Sequence, residues 1–447
     1  MSLPSNWTSA SILTCGTFIR GVTYKKQEAS TTTKPGYARI LRANNISTRN
    51  ISTEEIIYVP LKNISETQIL QSGDILIATS SGSPSVVGKA AQIKNDTDMS
   101  FGAFCGVIRP HRDLNPEYIG HFFSSKQYRD RISKLARGTN INNIKQEHFE
   151  SIKIPLAPIN EQRRIADKLD RVLARVDAAN EHLSRVAPLI KRFRQSVLAA
   201  ATSGRLTEDT STTSRQVMLQ DVALDFSYGS SEKSKPHGKI PVLRMGNIQG
   251  GSIDWSDLVF TDNESEIAKY ELTYGDVLFN RTNSPELVGK TAIYNQGPRA
   301  IYAGYLIRIK CTEELNPFYL NYCLNSPMGR AYCWSVKSDG VSQSNINAKK
   351  LAAFSFRLPS IEEQSEIVRR VEKLFAFADH LEERLSQAQA AVQKLTPALL
   401  AKAFRGELVP QDPNDEPASE LLKRLQEGRT ESTKPSRARK PRARKSP

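Results

Sequence analysis

Two stretches of the chain carry apolar residues on a period of three and a half. In the first, Ile165, Leu169, Val172, Val176, Ala179, Leu183, Val186, Ile190, Phe193 and Val197 follow an unbroken alternation of four and three residues. In the second, Ile367, Val371, Leu374, Ala378, Leu381, Leu385, Ala388, Val392, Leu395 and Leu399 do the same. This spacing draws one apolar stripe along a helix, so it predicts two long helices, about Glu161 to Ala201 and about Glu362 to Ala403, that pair as a coiled coil. Pro188 lies inside the first pattern and Pro397 near the end of the second. A proline ring removes an N–H and crowds the preceding turn, so kinks or restarts are expected there. Pro155 and Pro158 before the first helix and Pro359 before the second call for extended entries, and Gly204 and Gly406 mark the exits.

Upstream of each helix the period shortens to two. Runs such as ARIL, EEIIYV and DILIA, and later PVLRM, DVLFN and AIYAGYLIRI, are separated by Gly, Asn, Ser and Pro clusters. They read as strands of mixed α/β domains with many loops. A helical pattern follows Leu114 and Leu315 in each, after the shared Leu-Asn-Pro.

These two pattern blocks are copies of one another. Residues 138–206 align without a gap onto residues 340–408, a constant offset of 202. Upstream, LRANNI from Leu41 meets LRMGNI from Leu243, and GDILI from Gly73 meets GDVLF from Gly275. Solenoids use periods of about 20–50 residues, so two copies this long point to two domains of one kind. The fold class expected is α/β (α+β), with mixed domains at 1–157 and 207–358 and long helical regions at 158–206 and 359–408. Laid antiparallel, the helices would relate the domains by a pseudo-two-fold axis. Residues 409–447 are polar and basic and are expected to form a tail without fixed structure.

Charge narrows the partners. The formal net charge is +15. Residues 429–447 hold eight Lys or Arg against the single Glu431, leaving about +8 on the rest. Both parts favour a polyanion, because Lys and Arg near phosphates release condensed counterions. Five scattered cysteines without a Cys-x-x-Cys pair match a reducing compartment, and no window resembles a signal peptide or membrane span, so a cytoplasmic protein is expected.

Catalytic patterns are weak. SPELVGKT at 284–291 ends like a phosphate-binding loop but has Ser284 where the leading glycine belongs, and SPSVVGKA from Ser83 lacks the hydroxyl for magnesium. The repeated Val-Gly-Lys reads better as a turn from which Lys89 and Lys290 could reach a phosphate. NPFY at 316–319 resembles an adenine-methyltransferase signature without its second proline, and its twin NPEY at 115–118 opens a helix. Proline at a first helical turn explains both. The six histidines show no paired metal spacing, and Asp74 and Asp276 in Gly-Asp read as strand-entry turns.

What recurs beside the strand ends is a polar and basic set. Arg42, Asn44 and Asn45 correspond to Arg244 and Asn247, and Thr79, Ser80 and Ser81 correspond to Arg281, Thr282 and Asn283. Arg and Asn fit guanine and adenine edges in two-point contacts, and Ser or Thr can serve bases or phosphates. With Lys89 and Lys290, these are the candidate DNA-binding residues. One frame with two different linings is what reading two different sequences requires.

In this order and twice over, LRANNI and LRMGNI, GDILI and GDVLF, GTNINNI and GVSQSNI, PINEQ and PSIEEQ, then SGRL and RGEL, the chain resembles the specificity subunit of type I restriction-modification systems. The resemblance implies target-recognition domains alternating with helical regions and no active site of its own. It implies double-stranded DNA, two modification (methyltransferase) subunits and two restriction/translocase subunits as partners, in a prokaryotic cytoplasm. S-adenosylmethionine, ATP and Mg are then expected on the partners, with no cofactor on this chain. The helical seam from Ile165 to Val197 would span roughly 50 Å, somewhat more than one DNA turn. Other readings are the recognition subunit of a fused restriction-methylation enzyme, a standalone methyltransferase or a coiled-coil scaffold. Glu161, Gln162, Glu363 and Gln364 are expected to organise the helix starts.

Overall fold

The computed structural model describes residues 3–47, 49–136, 142–209 and 213–432. It divides into two compact units, Met1–His182 with Gln389–Pro447, and Leu183–Ala388.

In the first unit, four antiparallel strands run in the spatial order Gly16–Arg20, Cys105–Pro110, Ile75–Ala78, Ala90–Gln92. Strand side chains alternate between faces, and here both faces are covered. Ile75, Ile77 and Ile108 pack with Tyr118, Ile119 and Phe122 of the helix Pro116–Phe123 and with Tyr128 and Ile132 of Lys126–Leu135. Leu76, Ala78 and Val107 face the other way, with Leu41 and Phe101 from a second sheet. That sheet orders Ile57–Pro60, Tyr37–Leu41 and Ser100–Phe101, the last pair parallel. Burial on both sides explains the unbroken ILIA run. Thr8–Ser11 pairs with Lys153–Leu156, closing the domain just before the long helix.

The second unit repeats the plan. Ala223–Tyr228, Leu306–Cys311, Asp276–Asn280 and Thr291–Tyr294 form the four-stranded sheet. Val277, Phe279, Ile307 and Ile309 face its helices, and Leu278 and Leu306 face the sheet of Val259–Thr261, Ile240–Leu243 and Ile301–Tyr302. Arg215–Met218 pairs with Ser355–Leu358.

The long helices are Ile159–Ser203 and Ile361–Ala403. In the first unit, Ile165, Ala166, Leu169 and Leu173 share a core with Leu400, Ala403 and Phe404. In the second, Val197 and Leu198 join Ile367 and Val371, while Ile190 meets Ala378 and Leu385. Rising numbers against falling ones make the pairing in that unit antiparallel. Arg194 donates to Asp379 and Glu382 beside this seam and lies over the Phe375 ring.

Three expectations are corrected. Neither helix restarts: each continues through its proline, Pro188 or Pro397, which lies on an exposed face where water can reach the carbonyl left without its N–H partner. The seam also drifts from its strict heptad: Val172 and Val392 are half-buried while Leu173 is buried, and Leu395 is exposed while Leu400 is buried. A helix of 3.6 residues per turn rotates away from a 3.5 repeat, and here Phe404 packs on the Tyr118 and Phe122 rings, drawing burial toward the domain. Lastly, the presumed tail begins as structure. Ala418–Ser432 is a helix whose Ala418, Leu421 and Leu425 enter the first unit's core, and Arg164 donates to Asp415 at 2.6 Å. The basic residues from 433 onward lie outside the described residues.

Candidate nucleic-acid interface

The recurring LRxxNI segments fold alike. Arg42 and Arg244 precede 3-10 turns, Ala43–Asn45 and Met245–Asn247. Asn45 Oδ1 accepts from the Arg42 N–H at 2.8 Å, and its Nδ2 donates to the Ser52 and Glu55 carbonyls. Asn247 repeats this with Arg244, Asp254 and Asp257. Both asparagines are buried and engaged at both ends of the amide, so they hold the loop and cannot present an edge to a base. That corrects their assignment as contacts and assigns them the turn itself.

The arginines they hold line two related clefts. The first, about 490 Å³, brings together Arg42, Asn44, Ser80 and Ser81 with Tyr24 and Phe104. Asn44 is exposed and donates to Glu55 Oε2 at 2.9 Å, and Arg42 reaches the Glu55 carbonyl at 3.4 Å. Burial raises the Tyr24 phenol, a shift that the Arg42 charge partly offsets. The second, about 700 Å³, brings together Arg244, Arg281 and Thr282 with Lys233 and Tyr305. Here Arg244 pairs with Asp257 at 3.1 Å, and Arg281 stacks 4.6 Å from the Tyr228 ring centre. Among the described residues, the Nε atoms of Arg42, Arg244 and Arg281 are buried without a hydrogen-bond partner. These Nε atoms face the protein, and each guanidinium is held through one terminal nitrogen, Nη2 in Arg42 and Arg244 and Nη1 in Arg281, which leaves the other terminal nitrogen to donate.

The remaining candidates fall elsewhere. Thr79 is buried, its N–H donating to the Phe104 carbonyl, and it lines a neighbouring hollow with Asn143 and Glu147. Asn283 Oδ1 accepts from Ser284 N–H at 2.8 Å, and Asn283 does not line the second cleft. Lys89 and Lys290 sit on the Val-Gly-Lys turns, away from both clefts. Lys290 donates to Gln249 at 3.1 Å, and its ammonium is pushed down by burial, then by Arg330 and Lys191. These turns are structural. Gly88 and Gly289 have φ of 77° and 83°, and an added Cβ would meet Ile132 Cγ2 at 2.6 Å and Cys333 Sγ at 2.5 Å. Arg129 and Arg330 donate to the carbonyls of Val87 and Val288, each at 2.8 Å. The loop therefore turns carbonyls toward cations, the reverse of an amide cradle for phosphate.

The NPEY and NPFY motifs cap helices. Asn115 Oδ1 accepts from Tyr118 N–H at 2.7 Å, and Asn316 Oδ1 accepts from Phe318 N–H at 2.9 Å. Gln162 and Gln364 lock the caps to the long helices: their Oε1 atoms accept from Asn115 and Asn316 N–H at 3.2 and 2.8 Å. Glu161 accepts from Trp7 and Glu363 from Thr207, both at 2.9 Å, so the four organise the helix starts as expected. Asp74 and Asp276 accept from backbone N–H groups of their turns, Gln71 and Thr273, and Asp74 also binds Arg109. Among the described residues there is no cluster of His, Cys, Asp and Glu suited to a metal, and no helix long and apolar enough to cross a membrane.

Sequence reasoning missed the aromatic and basic additions Tyr24, Phe104, Tyr228, Lys233 and Tyr305. The reason is partly one of register. The Val-Gly-Lys and Leu-Asn-Pro motifs on either side already stand 201 apart, not 202, and the strand register agrees, with Ile75 opposite Ile108 and Val277 opposite Ile309. Phe104 thus answers to Tyr305, whereas the constant offset set it against Leu306.

Two copies of one sheet-and-helix domain, each with an arginine-bearing polar cleft beside its central sheet, define a duplicated recognition protein. The chain belongs to the family of the type I restriction modification DNA specificity domain, whose profile matches residues 4–186 and 226–389. It is similar to the type I restriction enzyme EcoKI specificity subunit of Escherichia coli K12, 40% identical over 420 residues, spanning 92% of this chain and 90% of that one. It is 39% identical over 419 residues to the StySPI specificity subunit of Salmonella potsdam, with the same 92% and 90% coverage. In fold it matches a chain of a solved type I R-M system complex with a TM-score of 0.71 at 21% identity, covering 91% of this chain and all of that one. The HsdS subunit from Thermoanaerobacter tengcongensis matches with a TM-score of 0.57, also at 21% identity, covering 91% and 99%.

Proposed function

We propose that this specificity subunit reads a bipartite, asymmetric DNA target, one half-site per domain. Arg42, Asn44, Ser80 and Ser81 serve one half-site, and Arg244, Arg281 and Thr282 serve the other. The observation that carries this is the pair of clefts: the frames agree from sheet to turn, while the side chains that line them differ. Two guanidinium groups in the second cleft favour guanine edges there. The long helices set an unspecific spacer and dock two adenine-N6 methyltransferase subunits, with two restriction/translocase subunits in the full complex. The subunit carries no cofactor and no catalytic residue of its own. S-adenosylmethionine, ATP and magnesium are brought by the partners, in the cytoplasm of a prokaryote.

Mapping methylated adenines in host DNA with and without this chain tests the proposal. A split motif with a fixed gap is expected, and its loss on deletion. Methyl transfer by the purified chain alone would support the enzyme reading instead, and methylation independent of the chain would refute the assignment.

A further inference from the structure

At the rim of each cleft stands one aromatic ring that its own domain leaves bare. Phe104 is 70% exposed and Tyr305 51%. Isolated exposed rings are ordinary, but these two occupy one position of the repeated frame. Each is the third residue of a tight turn, closed by Cys105 N–H to the Gly102 carbonyl at 2.8 Å and by Leu306 N–H to the Ala303 carbonyl at 2.9 Å. The aromatic residue's own carbonyl is also held. Thr79 and Ser80 N–H donate to that of Phe104 at 2.9 and 3.1 Å, and Arg281 N–H donates to that of Tyr305 at 3.1 Å. Neighbouring segments pass too close for a side chain, since a Cβ on Gly21 would lie 2.1 Å from the Gly102 carbonyl oxygen and one on Gly229 would lie 2.2 Å from that of Tyr302. The backbone is therefore fixed while the ring projects outward beside the guanidinium groups. A rigid ring with two rotatable bonds loses little entropy on binding.

We propose that Phe104 and Tyr305 are paired DNA wedges, each inserting at a base step of the half-site its cleft reads and partly unstacking it. Apolar wedges that open a base step are an established way to fix a protein on a duplex. Here the wedge would set how deeply Arg42, or Arg244 and Arg281, meet the base edges. Tyr305 adds a hydroxyl that Phe104 lacks, so the two anchors are alike in stacking and unlike in polar contact. The inference rests on the reading of the clefts as duplex-DNA sites.

The experiment uses the full chain assembled with the modification subunits of its own system and the duplex found by methylation mapping. 2-Aminopurine is placed in turn at each position in and beside the half-sites except the methylated adenines and the bases next to them, where the methyltransferases extrude the target base by themselves. Binding of the unaltered complex should raise fluorescence at one step in each. Phe104→Ala should abolish the rise in one half-site only, and Tyr305→Ala in the other only, each with roughly tenfold weaker binding. Phe104→Tyr and Tyr305→Phe should keep the signal, and thermal unfolding of every variant should match the parent. Unchanged fluorescence in the alanine variants, or weaker binding with no fluorescence rise in the parent, overturns the wedge while leaving the clefts as DNA sites. Failure of the unaltered complex to bind the mapped duplex overturns both.

Discussion

Asn45 and Asn247 illustrate what residue identity alone conveys. An asparagine beside an arginine near a strand end fits adenine recognition and loop capping equally well, and burial selects the second. Gln162 and Gln364 are the reverse case, where position at a helix start already indicated a structural role. Each joins two helix N-termini through one amide, with Nε2 donating to the Ala157 carbonyl at 2.8 Å or the Pro359 carbonyl at 2.9 Å. Gln162→Ala or Gln364→Ala would leave buried polar groups unpaired. Each should cost about 1–3 kcal/mol in urea unfolding, and a change within error would show the link to be dispensable. Exposed Asn44 and half-buried Ser80 and Thr282 remain open to a ligand, and no spacing rule separates them from their buried neighbours.

At the scale of elements, the helices were the most legible part, because ten apolar positions at one period leave little else to propose. Pro188 ends nothing, because a helix held on its apolar stripe by Ile190 and its neighbours can carry one lost hydrogen bond on its exposed face. If the helices act as a ruler, deleting one heptad from each, in register, should shorten the gap by roughly 10 Å, about three base pairs. Methylation mapping would then show a shorter spacer with unchanged half-sites, and changed half-sites would end the ruler idea. The helix Ala418–Ser432 was not legible, since its three buried residues sit among charges and find their core only in the first domain. Its approach is pinned by Asp415, whose carboxyl the hydrogen bond from Arg164 holds below the usual aspartate range. A depressed acid stabilises above its unfolded pKa, about 3.9, and the benefit fades as pH falls through the folded value. Asp415→Asn should therefore cost about 1 kcal/mol near neutral pH, kept small by the partial exposure of Arg164. In thermal unfolding the difference from the parent should begin to shrink below about pH 4 and keep falling with further acid; a deficit that stays constant as the pH is lowered from neutral through the acid limb would assign it to packing instead.

At the scale of the whole molecule, the positive charge divides between residues 1–428 and the stretch beyond Gly428. Truncation after Gly428 should flatten the dependence of DNA affinity on salt, because each phosphate contact contributes close to one unit of slope. An unchanged slope would remove the stretch from DNA binding. The sequence by itself determined the duplication, the two long helices, the mixed character of the domains between them and the family, since each is written in periodicity or in ordered motifs that do not depend on distant contacts. Only the tertiary structure decided which members of the polar set share a cleft, that arginines clamp the Val-Gly-Lys turns, and that Phe104 and Tyr305 stand bare at the cleft rims. Those outcomes depend on strand register and burial, where a shift of one residue exchanges a core side chain for an exposed one. A period repeated over ten positions absorbs such a shift, and a loop of three residues does not.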